Sequence, residues 1–377
     1  MRRIVIAVQR LFHHRPEMSD RGAVALLVAL LLGAGVLTGL LGLVVDGGRM
    51  FAERRVVQNG ADAAALAVAQ NCALQRPECL SQASSRAVAA TFANLNASDD
   101  GRTSVTELCG SSPLGGCPSL GTTPKWSDCQ TAVTGNYARV RTRSEDASGS
   151  AFFLPIFAGV LGGGTGSQLS VGACSQVRWG GATSAPIQFP FLLPACSPLL
   201  DQGAKVIEDF DPNDPDESCT VGGVTYNPVT KGFAFGALPG ADPDCLTTVD
   251  IKVGSVISVE TSLTQVCGTK INTVVDTLLG INGQPATPIT LPVVGAHSQT
   301  GQGQYDFTVL GFKSFILTGY KLKNVTGGTA PPGGWAATAC GSSAKRSCLY
   351  GSVGTDVVTG DVGGTGDFGV RAVRLVP

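Results

Sequence analysis

Ala23 to Val45 reads AVALLVALLLGAGVLTGLLGLVV, a run with no charged side chain and a single threonine. Wound as an α-helix at about 1.5 Å per residue, it reaches across a bilayer hydrocarbon core of about 30 Å. A secretory signal has a shorter apolar region, about 7–15 residues, and a small-residue cleavage site. This run is longer and passes directly into Asp46-Gly47-Gly48-Arg49. A helix buried in a soluble core has no need of so long a stretch without charge. Residues 22–45 are therefore read as a transmembrane helix, its apolar run bounded by Ala23 and Val45.

The flanks orient it. Arg2, Arg3, Arg10, Arg15 and Arg21 precede the span, whereas Arg49, Arg54 and Arg55 follow it beside Asp46 and Glu53. Positive charge gathers on the cytoplasmic side, so residues 1–21 form a basic cytoplasmic segment and the bulk of the chain lies outside the cell. The cysteines agree. All twelve follow the span: Cys72, Cys79, Cys109, Cys117, Cys129, Cys174, Cys196, Cys219, Cys245, Cys267, Cys340 and Cys348. They are scattered, with no Cys-x-x-Cys pair, and His13 and His14 stand before the span. Zinc sites use close pairs with histidine. An even number of dispersed cysteines reads as disulfides in an oxidising compartment.

Residues 49–70, RMFAERRVVQNGADAAALAVAQ, place Met50, Val57, Ala61, Ala64 and Val68 at helical spacing, with Arg55, Gln58 and Asp62 as a polar stripe. No proline separates this helix from the span, so the two read as continuous. Gly60 costs about 1 kcal/mol relative to alanine in a helix. The alanine-rich face suits close approach, either to the chain's own exterior part or to a partner helix.

The arrangement resembles the N-terminal segment of Tad (tight adherence, Flp pilus) assembly proteins of the TadE/TadG type. The features that carry the resemblance are Arg21-Gly22 before the span, Asp46 with Gly48-Arg49 after it, and the run Gln58-Asn59-x-Ala61-Asp62-Ala63-Ala64-Ala65. Phe189–Cys196 (FPFLLPAC) and Gly311–Leu322 (GFKSFILTGYKL) also resemble actinobacterial members. The resemblance implies a pseudopilin-like or accessory envelope protein of an adhesive pilus, with other Tad components and membrane lipid as partners and a prepilin peptidase acting at Gly22. TadE-type pseudopilins carry glutamate five residues after the processing glycine. Here that position is Leu27, so the resemblance carries over as TadG-like anchoring of the full chain.

Beyond the anchor, residues 80–95 show a second helical pattern and residues 101–130, rich in Gly, Pro, Ser and Cys, read as a disulfide-tied loop. Ala138, Val140 and Thr142 alternate with Arg139, Arg141 and Arg143, as do Leu169, Val171, Ala173, Val177 and Trp179 with their neighbours. Both segments read as half-buried strands. AFFLPIFAGVL (151–161) reads as a short helix broken near Pro155. The expected fold is α+β, with a pilin-like α+β region over residues 46–183. The proline-rich stretch 185–198 marks a boundary, and residues 184–377 form a β-rich exterior domain with disulfides. In that domain Val249, Ile251, Val253, Ile257 and Val259 alternate, residues 271–279 fit a helix, and the apolar phase changes near Gly311 as at a β-bulge. Cys340 and Cys348 fit the closure of a hairpin, and 368–376 reads as a final strand.

Chemistry is sparse. Asp146-Ala147-Ser148-Gly149-Ser150 matches the Asp-x-Ser-x-Ser pattern that holds a hard cation, but Arg on alternate positions before it does not fit a buried parallel strand. The segment reads as a loop. The acidic stretch 209–217 lacks the spacing of a calcium loop, GGGTG (162–166) lacks the Lys of a phosphate loop, and a lone His297 makes no triad. The Arg139/Arg141/Arg143 stripe reads as a wet sheet face. A net charge of −1 with no long basic run gives no footprint for nucleic acid. The expectation is a single-pass membrane protein with no catalytic residues, no cofactor and no metal, acting as a structural or assembly component of a Tad-type pilus. The other reading is a cell-surface adhesin or ligand-binding module.

Overall fold

The computed structural model of the chain describes residues 20–96, 102–119, 128–129, 133–146, 148–150, 170–187, 189, 191–196, 205–208, 211, 217–221, 224–229, 232–235, 248–260, 275, 288–323, 340, 347–363 and 367–376. Outside the described residues lie most of the basic segment 1–21, the apolar segment 151–161, the GGGTG run, nearly all of the acidic stretch 209–217, the 271–279 helix apart from a helical Val275, and Cys245 and Cys267.

One helix, α1 (Asp20–Ala73), runs 54 residues without a break. Its two halves differ in what surrounds them. From Val57 onward Ala61, Ala64, Ala65, Val68 and Ala69 are buried against the rest of the chain. From Val24 to Gly33 the helix is exposed on every side, and the described leucines and valines stay exposed as far as Val45, Leu31 and Val44 by 70% or more, while Gly42 and Asp46 are buried. Counted over the described residues, no helix is long and apolar enough to cross a membrane. Within the apolar run the side chains at 23, 34, 35, 38, 39, 41 and 43 are not among those described.

The disulfide Cys72–Cys79 closes the turn after α1, and a short 3-10 helix (Pro77–Cys79) leads into α2 (Gln82–Asn94). Ser81 caps α2, its Oγ accepting from the Ser84 amide at 3.1 Å, which satisfies one of the helix's free N–H donors. The two helices meet at Gly60. A Cβ there would lie 3.0 Å from the Ala93 carbonyl oxygen and 3.1 Å from Thr103 Cγ2. The absent side chain lets α2 and the first strand approach α1.

The strands are β1 (Arg102–Gly110), β2 (Asn136–Glu145), β3 (Gly172–Gly181), β4 (Ser184–Ile187), β5 (Phe191–Pro194), β6 (Lys205–Glu208), β7 (Glu217–Val221) and β8 (Val224–Val229). There follow β9 (Ala234–Phe235), β10 (Val249–Lys252), β11 (Val256–Glu260), β12 (Ile289–Gly301), β13 (Gln304–Lys321), β14 (Cys348–Gly354), β15 (Asp356–Thr359) and β16 (Val370–Val376). A five-stranded sheet has the order β1-β2-β3-β16-β15, antiparallel except for β15 with β16. Its inner face carries Val105, Leu108, Ala138, Val140, Val177, Trp179 and Val373, which pack with the alanines of α1 and α2 into one core. A seven-stranded sheet, β6-β14-β13-β12-β5-β9 with β11 on β13, holds the aromatic core of Phe191, Phe233, Phe315 and Tyr320.

Residues 102–110, expected within a loop, form β1 instead. A bulge between Val105 and Glu107 breaks the period-two alternation that would have marked the strand. The loop that remains is tied by Cys109–Cys117. The expected phase change near Gly311 appears as a register shift, Val293 opposite Gly311 but Val294 opposite Val309, so Leu310 is the extra residue. The final strand, assigned by sequence to the β-rich region, pairs with β3 of the first sheet.

Candidate interaction site where the long helix meets the first sheet

Of the motif residues, Gln58, Ala61 and Asp62 sit where α1 docks onto the five-stranded sheet. Arg21 and Gly22 fall in the first turn of α1, and Asp46 is only 9% exposed, one turn on from the buried Gly42. Arg49 and Asn59 are exposed. Ala61 is fully buried against Ala173 of β3 and Val57. Gln58 and Asp62, one turn apart, lie together at the sheet's margin. Gln58 Nε2 donates to Asp62 Oδ1 at 2.9 Å and to the main-chain carbonyl of Cys174 at 3.1 Å. On the same length of helix Thr142 Oγ1 of β2 donates to the carbonyl of Val57 at 3.1 Å in a buried position. A short helical run thus offers an alanine face for close packing and one glutamine that reaches the sheet's backbone.

Beside this contact is a cavity of ≈ 510 Å³. Arg54, Gln58 and Asp62 form its helical wall. Cys174 and Gln176 of β3 form its floor, and Asp128 with Cys129 its outer rim. The Cys129–Cys174 disulfide pins that rim to β3. Both signs of charge are present, and there is neither a histidine nor a free thiol in the lining. The cavity offers polar contacts from Asp62, Asp128, Arg54 and Ser175, with Leu375 and Val376 as its apolar part. Below it, partial burial pushes the Glu53 carboxyl above its ordinary value.

The remaining sequence candidates separate cleanly. Besides the three bridges already named, Cys196 pairs with Cys219 and Cys340 with Cys348. Glu107, Cys109 and Cys117 come close together, but both sulfurs are in a disulfide and present no thiolate to a metal. In the Asp146 loop the carboxylate Oδ1 accepts from the Ser148 and Ser150 amides, each at 2.8 Å, and from the Ser148 hydroxyl at 2.6 Å. The loop closes on its own acid. These bonds, the Ser148 hydroxyl foremost, hold the Asp146 carboxyl below the usual value. The arginine stripe is not uniformly wet. Arg139 is 4% exposed and donates to the Pro118 carbonyl at 3.0 Å, while Arg141 lies 3.6 Å from Glu107 and 3.5 Å from Asp128. His297 packs edge-on against Tyr305 in the seven-stranded sheet.

The sequence marks Gly60 as a cost to the helix and Thr142 as a strand residue, and leaves the partners of Cys129 and Cys174 open; their part in joining α1 to the sheet is visible only in the fold. A glycine inside an alanine-rich helix was the one available signal, since there it marks a close approach.

Residues 22–71 match the family model of putative Flp pilus-assembly TadE/G-like proteins. The chain carries a TadE/G-like Tad segment. No curated protein and no solved structure matches the chain. The Tad segment lies wholly within α1, so the family signature here is a single helix, the bare apolar part together with the docked part. Within it, Gln58, Ala61 and Asp62 are the residues that join the Tad helix to the first sheet.

Proposed function

We propose that this protein is a membrane-anchored structural or assembly component of a Tad-type (Flp) pilus system, without catalysis. The observation that carries the reading is the coincidence of the Tad match with α1. From Val24 to Gly33 that helix is exposed all around, and from Val57 onward it is packed into the folded part of the chain. A helix apolar on every side and uncovered by its own chain belongs in lipid or among other apolar helices. Residues 22–45 serve as the single-pass anchor, with the N-terminus in the cytoplasm and the disulfide-bonded part outside. Leu27 in place of glutamate favours a retained anchor over processing at Gly22. Other Tad components are the expected partners, met through the anchor helix and the exterior sheets.

The test is to isolate the protein from the membrane fraction of its native host and sequence its N-terminus, alongside deletion of the gene and inspection of pili. A start at Met1 with loss or disorder of pili supports an anchored assembly component. A start at Ala23 makes it a processed filament subunit. Recovery in the soluble fraction, or intact pili in the deletion strain, overturns the proposal.

A further inference from the structure

β3 and β16 lie antiparallel with Arg178 directly opposite Arg374, so the two side chains leave the sheet on the same face. It is the face turned away from α1, because Val177, Trp179 and Val373, of the opposite parity, pack in the core beneath that helix. Like charges directly opposite one another destabilise a strand pair, and here only one of the two has a counter-charge. Arg374 pairs with Asp361, both well exposed. Arg178 enters none of the ion pairs among the described residues, and its Nε is buried there without a hydrogen-bond partner. A buried donor left unpaired is costly and calls for an acceptor.

Room for the acceptor exists. A cavity of ≈ 150 Å³ opens between the two arginines, walled by Val362, Leu375 and Val376. On the other side Tyr137 is the β2 partner of Arg178, and Gly135, at φ +84, presents no side chain toward its Nη2. The place is small, has cationic donors at one end and has aliphatic walls.

We propose that Arg178 and Arg374 form a binding site for a carboxylate group carried on a short apolar stem. A guanidinium fork matches a carboxylate in two parallel hydrogen bonds. The local charge, two arginines against Asp361, is that of a site for a monoanion rather than for a phosphate dianion. The valine and leucine walls take the stem. The carboxylate comes either from a free small acid or from an acidic side chain of an adjoining copy of this chain, and the chemistry at the arginines is the same. The site shares Leu375 and Val376 with the Gln58 cavity and does not depend on the membrane reading.

The test uses the full chain in detergent micelles with ¹⁵N-labelled arginine. The Arg178 Nε–H resonance, assigned by its loss in Arg178→Lys, is followed while propionate or inorganic phosphate is added. The expected result is a saturable shift with propionate, weaker by at least tenfold with phosphate and weakened by at least tenfold in Arg374→Gln. A resonance that moves on protein dilution, together with a fall in particle size, also supports the site and assigns the carboxylate to an adjoining copy. No saturable shift, an equal response in Arg374→Gln, tighter binding of phosphate, or a resonance already at its end point and insensitive to acid and dilution alike overturns the proposal.

Discussion

Arg371, on the last strand, donates a hydrogen bond to the main-chain carbonyl of Ala73, the last residue of α1 and 298 positions earlier in the chain. Helices end with four carbonyls that have no partner within the helix, and here one of them is met from the far end of the sequence. Asp367 steadies the guanidinium, accepting from Nε at 2.9 Å and from Nη2 at 2.6 Å. Lys313 of β13 lies beneath the same turn, its Nζ 3.1 Å from where a Cβ on Gly369 would stand. Burial pushes the Lys313 amine down, with Asp367 opposing. α1 and both large sheets converge on this point.

Removing that guanidinium should therefore loosen the join. Arg371→Ala is expected to lower the stability of the folded part beyond Val57 by about 1–3 kcal/mol, the range for leaving buried polar groups unpaired. Arg371→Lys should recover little, because a point charge cannot serve Asp367 and Ala73 at once. Thermal unfolding of the full protein in micelles, with hydrogen exchange at the amides of residues 70–73, measures both.

Gly60→Ala should destabilise, against the helix propensity that favours alanine by about 1 kcal/mol. The new methyl would press on a backbone carbonyl at 3.0 Å, and overpacking of this kind costs about 1–3 kcal/mol. A rise in the unfolding temperature of Gly60→Ala would mean that α2 gives way more easily than the contact suggests.

Gln58→Ala removes two side-chain hydrogen bonds and is expected to cost about 1–2 kcal/mol. Gln58→Glu should be worse near neutral pH, since it loses the donor to Cys174 and sets two carboxylates one turn apart. Acid should narrow the gap between Gln58→Glu and the parent as those carboxylates protonate. Denaturant midpoints compared at two pH values decide it.

The Asp146 turn carries a pH signature. Its folded-state pKa lies below the ordinary value, so the turn's contribution is present above that ordinary value and is lost as pH falls through the depressed one. A carboxyl titration by NMR should place Asp146 below 3.8, the value of an unperturbed aspartate. Ser148→Ala should move it upward, because the Ser148 hydroxyl is the largest cause of the depression.

The disulfides should differ in worth. Cys129–Cys174 closes a separation of 45 residues and Cys109–Cys117 one of 8. By loop-closure entropy their loss costs about 4 and about 2.5 kcal/mol respectively. Paired Cys→Ser variants, compared by unfolding temperature, should fall in that order. The longer bridge also pins the rim of the Gln58 cavity, so its loss should speed hydrogen exchange at Ser175 and Gln176.

Much of α1 was legible as one helix because an unbroken apolar run and a 3.6-residue alanine pattern are local signals. The strands around Val140 and Val177 were legible for the same reason, with period two in place of 3.6. What escaped was non-local. The bulge at Val105–Glu107 hid β1 by shifting the phase of its side chains. Arg139 alternated as a solvent-facing residue should, yet Pro118 folds over it. Nothing near residue 370 announces that its strand belongs beside Trp179. Gly60 looked like a flaw in a helix until Ala93 came to rest against it.

The placing of Val370–Val376 between β3 and β15 bears on how the protein is made. A chain emerging N-terminus first delivers α1, α2 and three strands of the first sheet early, then most of the second sheet. The first sheet stays two strands short, with an open edge at β3, until residues 356–376 have followed. Completion of the sheet that holds α1 is thereby timed by late residues rather than early ones, and synthesis halted before Asp356 leaves an unfinished edge at β3 where the folded chain has none.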